Sequence, residues 1–163
     1  MRRALPILMF LAMAAPGAQA DDAVNVSAGY SFAGYLEEGL GSAPRGAYLS
    51  VADARRKLGF ELDFAYHRDS EWDITLNTFT AAVGPHLRVG EQKNQPFVHV
   101  LGGIRHDRIL GASNTAFGGM AGGGVDIKAG DRLSVRLGAD FQIFFFDEGE
   151  NLKTLRLNVG LTF

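Results

Sequence analysis

The stretch Leu152-Lys153-Thr154-Leu155-Arg156-Leu157-Asn158-Val159-Gly160-Leu161-Thr162-Phe163 decides the fold. From Leu155 onward every odd position is apolar (Leu155, Leu157, Val159, Leu161, Phe163). Every even position is polar or glycine (Arg156, Asn158, Gly160, Thr162). Side chains alternate across a strand, so this segment is a ribbon with one greasy face and one wet face.

The same period recurs backwards along the chain. It predicts strands over 133–145, 117–128, 97–105, 78–89, 58–66, 47–54 and 24–32. In 58–66, for example, Leu58, Phe60, Leu62, Phe64 and Tyr66 oppose Glu61 and Asp63. In 133–145, Leu133, Val135, Leu137, Ala139, Phe141, Ile143 and Phe145 oppose Arg136, Asp140 and Gln142. Eight strands of this length suit a tilted membrane crossing. The connections alternate in length. Arg56-Lys57, Gly90–Gln95 and Ala129–Asp131 are short, whereas Gly34–Gly46, His67–Asp73, His106–Thr115 and Asp147–Leu152 are longer or more polar.

Composition narrows the class. Arg2 and Arg3 precede the apolar run 4–15, then Pro16-Gly17 and the small-x-small sequence Ala18-Gln19-Ala20, so residues 1–20 read as a signal peptide. Residues 21–163 then form a single domain. Without Arg2 and Arg3 there remain 14 basic against 18 acidic side chains, which argues against nucleic-acid binding. The chain contains no cysteine, so disulfides and thiolate metal sites are excluded.

Charge placement separates a membrane barrel from a water-soluble sandwich. The polar face carries Glu61, Asp63, His86, Arg88, His99, Arg105, Asp126, Lys128, Arg136, Asp140 and Arg156, while the apolar face is plain Val, Leu, Ile, Ala and Phe. Aromatic side chains cluster near predicted strand ends. Phe32, Tyr35, Tyr66, Trp72, Phe144, Phe145 and Phe146 fall at the long-loop rim, and Phe60, Phe97 and Phe163 at the short-turn rim. Belts of this kind are expected at the two lipid interfaces. In hydrocarbon an open sheet edge leaves backbone groups unpaired at several kcal/mol each, so the first and last strands must pair.

With Gly29-Tyr30-Ser31 opening the first strand, the segment Gly84-Pro85-His86-Leu87-Arg88 and the terminal Phe163, the mature region resembles the small eight-stranded bacterial outer-membrane β-barrels, the OmpA/OmpX-like or "porin family" proteins. The resemblance implies an all-β, antiparallel up-and-down transmembrane barrel in the outer membrane of a Gram-negative cell. It implies partners in outer-membrane lipid and lipopolysaccharide, the barrel-assembly machinery (with Phe163 as assembly signal) and a host or surface ligand. The role it implies is structural or surface-interactive and non-enzymatic: membrane integrity, adhesion or host contact.

An eight-stranded barrel has an interior that side chains just fill. Glu61, Asp63, Asp126 and Asp140 are therefore expected to pair inside it with Arg88, Lys128, Arg136 and Arg156. A narrow pore is the competing reading, because Gly118, Gly122 and Gly124 leave room on the inward face. A lipid A-modifying hydrolase or acyltransferase is another. The barrel enzymes in question carry a His-x-Ser pattern that this chain lacks, although His106, Asp107 and Ser113 fall in one predicted loop. The histidines His67, His86, His99 and His106 show no metal-ligand spacing, so neither metal nor cofactor is expected. Arg45, Arg68, Arg105 and Arg108 are candidate contacts to lipopolysaccharide phosphates, since guanidinium and phosphate match in geometry. A polar substitution at lumen-facing Asn158 is expected to cost little, and a charge at Leu157 much more.

Overall fold

The computed structural model describes residues 24–36, 44–53, 57–71, 74–89, 94–146 and 151–163. Residues 1–20, read above as a leader, lie outside the described residues, as do Trp72 and residues 147–150. Eight strands run in chain order: β1 (Val24–Tyr35), β2 (Arg45–Asp53), β3 (Leu58–Glu71), β4 (Ile74–Arg88), β5 (Asn94–Ile109), β6 (Ala112–Lys128), β7 (Ser134–Phe145) and β8 (Asn151–Thr162). Each pairs antiparallel with the next, and β1 pairs with β8 to close the barrel. At the seam the backbones of Val26 and Phe163 exchange two hydrogen bonds, 2.9 and 3.1 Å long. The hydroxyls of Ser27 and Thr162 meet at 2.8 Å.

Strand parity follows the sequence. Leu155, Leu157, Val159 and Phe163 point outward with their counterparts on the other strands, among them Leu58, Phe60, Leu62, Phe64, Val98, Val100, Leu137 and Phe141. The core is inverted relative to a soluble protein. Glu61, Asp63, His86, Asp140 and Arg156 lie among the most buried side chains, and Ala82, Leu101 and Met120 form a small apolar cluster beside them. An antiparallel sheet with one face in hydrocarbon and one in the lumen takes this form.

Two expectations need correction. Phe97 and Phe144 do not belong to aromatic belts; both are buried inside. Their parity on β5 and β7 turns them inward, and proximity to a strand end does not override parity. The Phe97 ring stacks on His86 at 5.3 Å between centroids, with the Arg136 guanidinium 4.4 Å from its own centroid. Nor do β3 to β6 end where their apolar alternation ends. They continue as paired strand to Glu71↔Ile74 and Ile109↔Ala112, and the predicted second and third long loops become hairpin extensions. Beyond the hydrocarbon band strand pairing no longer needs an apolar face, so polar residues carry the ladder onward. At 17 residues β6 extends roughly 55 Å along its axis.

The β5–β6 hairpin turns on Leu110-Gly111, both with positive φ (49° and 90°). A two-residue turn of that hand suits the twist of the flanking strands but favours Asn-Gly over Leu-Gly. Leu110 is 78 % exposed, so no packing offsets its left-handed backbone. Leu110→Asn should raise the urea-unfolding stability of the barrel in detergent micelles by about 1 kcal/mol. Leu157 is 50 % exposed on the lipid face at mid-strand, and Leu157→Arg should cost about 2–4 kcal/mol in the same assay in lipid.

Candidate functional site

The lumen is organised around Arg156, which β8 turns inward and which is 0 % exposed. Its Nη1 and Nη2 donate to the Asp63 carboxylate on β3 at 2.7 and 3.1 Å, and its Nε donates to Asp140 on β7 at 2.8 Å. A planar guanidinium serves two carboxylates in this way without leaving a donor idle. Asp140 also accepts from Asn158 Nδ2 at 2.8 Å, and Asn158 Oδ1 accepts from Ser31 on β1 at 2.8 Å. Asn158 is therefore a bonded link, and a polar substitution there is cheap only if it keeps both bonds.

Toward the short-turn end, Arg136 holds Asp126 through two bonds of 2.7 and 2.8 Å. Between the two arginine knots sits Glu61. Its Oε1 accepts from Ser50, with Arg136 Nη1 at 3.5 Å. Its Oε2 accepts from His86 Nδ1 and from His99 Nδ1, the latter at 2.9 Å. The other His99 nitrogen, Nε2, faces Asp140 Oδ1 at 2.9 Å. One connected polar network thus joins all eight strands, with Asp126 as the member on β6. Alternation alone places His86 and His99 on the inward face. What it cannot provide is the β4–β5 register that sets them opposite one another.

Of the carboxylates and cations expected to pair inside, Glu61, Asp63, Asp126, Asp140, Arg136 and Arg156 come together. Lys128 does not: it is exposed at the end of β6, where the lumen opens. Arg88 is half-buried near the end of β4. The space that Gly118 and Gly122 leave is taken by neighbours. A Cβ at Gly122 would collide with the Asp140 carboxylate, and one at Gly118 would lie 2.9 Å from the Phe144 ring. These glycines make room for bulky inward side chains on β7, which is a different use of the space from a water path.

The four arginines proposed to meet lipid divide. Arg105 is buried inside, its Nε bonded to Asp107 at 2.9 Å and its guanidinium 5.7 Å from the Tyr35 ring centroid, and so it cannot reach the outer surface. Its inward parity on β5 decides this. Arg45, Arg68 and Arg108 lie on strands, all exposed on the outward face near the long-loop rim. Successive registers connect them as Arg45↔Arg68, Arg68↔Asn77 and Asn77↔Arg108. Phe32 flanks the row on β1 and Ser113 on β6, so no carboxylate stands in it. One outward position nearer mid-membrane, the Tyr66 hydroxyl donates to Asn77 Oδ1 at 2.7 Å. His106 likewise points outward and meets Thr115 at 2.9 Å across a strand pair, so it does not share a loop site with Asp107, whose side chain faces in.

The closed eight-strand topology, the charged lumen and the apolar exterior together fit the outer membrane protein beta-barrel domain, whose family model matches residues 4–163. The chain belongs to this family. It is a bacterial outer-membrane barrel, and its apolar band sits in the lipid bilayer. Among solved structures, Neisserial surface protein A is similar at a TM-score of 0.69 and 13 % identity, over 85 % of this chain and 95 % of that one. Ail, the attachment invasion locus protein of Yersinia pestis, crystallised with the heparin analogue sucrose octasulfate, gives 0.62 and 20 % over 86 % and 97 %. The N-terminal barrel domain of Pseudomonas aeruginosa OprF gives 0.53 and 15 % over 87 % and 98 %. At these identities the likeness concerns the fold. No curated protein matches the chain in sequence.

Truncating Arg156 strands two buried carboxylates. Arg156→Met should cost about 3–5 kcal/mol by urea titration in micelles, whereas Lys128→Met should be silent within about 0.5 kcal/mol. Asn158→Leu should cost about 1–3 kcal/mol, because it leaves Ser31 and Asp140 each short of a partner.

Proposed function

We propose that this barrel is a non-enzymatic structural protein of the outer leaflet that holds lipopolysaccharide against its wall and so supports membrane integrity. The observation that carries this reading is the outward row Arg45, Arg68, Arg108 at the long-loop end. Three guanidiniums on three adjacent-to-near strands, beside Tyr66 and without a carboxylate in the row, match anionic headgroups. Each can bind phosphate through two parallel hydrogen bonds. At a lipid interface such contacts are screened less than in bulk water.

The interior supports a structural role over the two competing ones. Arg156, Phe144, Leu101 and His86 are fully buried across the lumen, which favours a plug over a conduit. A Ser–His pair does exist: His67 Nε2 and Ser31 Oγ lie 2.9 Å apart. Both are buried, and no carboxylate pairs with His67 among the described residues. Hydrolysis needs an oriented base and room for a substrate carbonyl. The same arginine row would also accept sulfate groups, and Ail has been crystallised with a sulfated heparin analogue. Adhesion to a sulfated host glycan is therefore the second reading. Export would begin with removal of residues 1–20, leaving Asp21 as the first residue of the mature chain.

The triple variant Arg45→Ala/Arg68→Ala/Arg108→Ala should fold normally, shown by heat-modifiable gel migration. It should lose most of the lipopolysaccharide that copurifies with the wild type and bind added lipopolysaccharide at least ~10-fold more weakly, at about 1.4 kcal/mol per decade. Unchanged retention would overturn the reading, whereas loss of heparin binding with lipopolysaccharide binding intact would favour the adhesin. Planar bilayers should stay silent, and lipid A mass spectra should be identical with and without the protein.

A further inference from the structure

Glu61, His86 and His99 are arranged as a charge network alone would not require. Each offers one ligand atom, these atoms all lie within 4.8 Å of one another, and all three side chains are buried. Both imidazoles aim the same nitrogen, Nδ1, at a single carboxylate oxygen. The second oxygen of Glu61 is already held by Ser50 and approached by Arg136, which fixes the carboxylate with Oε2 turned to the histidines. His99 Nε2 faces Asp140 Oδ1 at 2.9 Å. A carboxylate on the far nitrogen is the usual orienting partner of a metal-bound histidine, because it fixes the tautomer and raises ligand basicity. With a carboxylate against each nitrogen, His99 is satisfied either by a doubly protonated ring or by a ring whose Nδ1 proton has been replaced by a metal ion. His86 Nε2 is buried with no hydrogen-bond partner.

Charge points the same way. Among the buried described residues around this cluster, Glu61, Asp63, Asp126 and Asp140 face the guanidiniums of Arg136 and Arg156. Arg88, half-buried, adds charge nearer the short-turn end. With Arg88 counted, carboxylates still outnumber guanidiniums by one, so the cluster is one that a cation among the histidines suits. Arg136 does not oppose it strongly, since its close ion pair is with Asp126 at 2.7 Å and its approach to Glu61 is to the other oxygen.

We propose that Glu61, His86 and His99 bind one divalent first-row transition-metal ion of the Zn2+ type inside the barrel, with Asp140 as the partner that orients His99. Two imidazoles and a carboxylate are a donor set suited to such ions and leave a fourth position open. Tetrahedral coordination at 2.0–2.1 Å needs donors roughly 3.3 Å apart. The Glu61–His86 and Glu61–His99 separations of 2.5 and 2.9 Å would therefore widen by less than an ångström, as Glu61 Oε2 withdraws from between the two rings and these, within 4.8 Å, close on the ion. The three ligands lie near the short-turn ends of β3, β4 and β5, so the ion would enter from that mouth. Once bound it would tie three strands directly and β7 through Asp140.

The test uses the full chain without a polyhistidine tag, folded in detergent micelles, stripped with a chelator and titrated with Zn2+ and Co2+. The expected result is one ion per barrel, a visible Co2+ spectrum of a four- or five-coordinate nitrogen and oxygen site, and a Tm that climbs with metal concentration. His86→Gln/His99→Gln should abolish all three, and His106→Gln should change none. Absence of stoichiometric metal on the wild type would overturn the proposal, as would equal binding by the double variant. Where that variant does not fold, Zn K-edge X-ray absorption on the wild type decides. Two imidazoles in the first shell support the site, and an all-oxygen shell overturns it.

Discussion

The double ion pair of Arg156 with Asp63 and Asp140 is the interaction on which the interior depends. A membrane barrel draws only part of its core from apolar side chains, because most of those are committed to the lipid face. Much of what fills the inside is polar, and a buried polar group is tolerated only when bonded. Arg156 meets this demand for β3, β7 and β8 at once. Asp140 then passes the constraint to His99 and Asn158, and through them to Glu61 and Ser31. Close to one another in a low dielectric, these charges stabilise the barrel only as a set.

The exterior follows a different rule. Across the hydrocarbon the outward residues need only be apolar, and their identities interchange freely among Leu, Val, Ile and Phe. At the long-loop end the same outward parity that turns Leu62 and Phe64 to the lipid face turns Arg68 and Arg108 to the outside of the rim. A single alternation therefore generates both the membrane anchor and the cationic row, with the change of chemistry marking the depth.

Much of this was legible in the sequence. The period of two told which side of each strand faces lipid, and it put Glu61, Asp63, Asp126, Arg136, Asp140 and Arg156 on one wet face. Parity was equally available for Arg105, Phe97 and Phe144, yet nearness to a strand end is a weaker cue than parity and misplaces all three. Register was not legible. Shifting β4 against β5 by two residues would preserve every alternation while separating His86 from His99, so the Glu61 cluster and the Arg45–Arg68–Arg108 row emerge only from pairing. Nor was the continuation of β5 and β6 to a two-residue turn readable, because polar residues paired above a membrane look like loop.

The β1–β8 seam has a consequence for how the barrel comes into being. Ser27 and Thr162, which meet there, are 135 positions apart, whereas every other strand pair joins neighbours in the chain. Local hairpins can zip with little entropic cost, but this last pairing must gather the two ends of the whole sheet. Until it forms, the sheet is a curved ribbon with two raw edges, and the inward polar side chains Ser27 and Ser31 on β1 lack their partners Thr162 and Asn158 on β8. Closure of that seam and completion of the Arg156 network are thus coupled through Asn158, which bonds Asp140 inside and Ser31 across the seam.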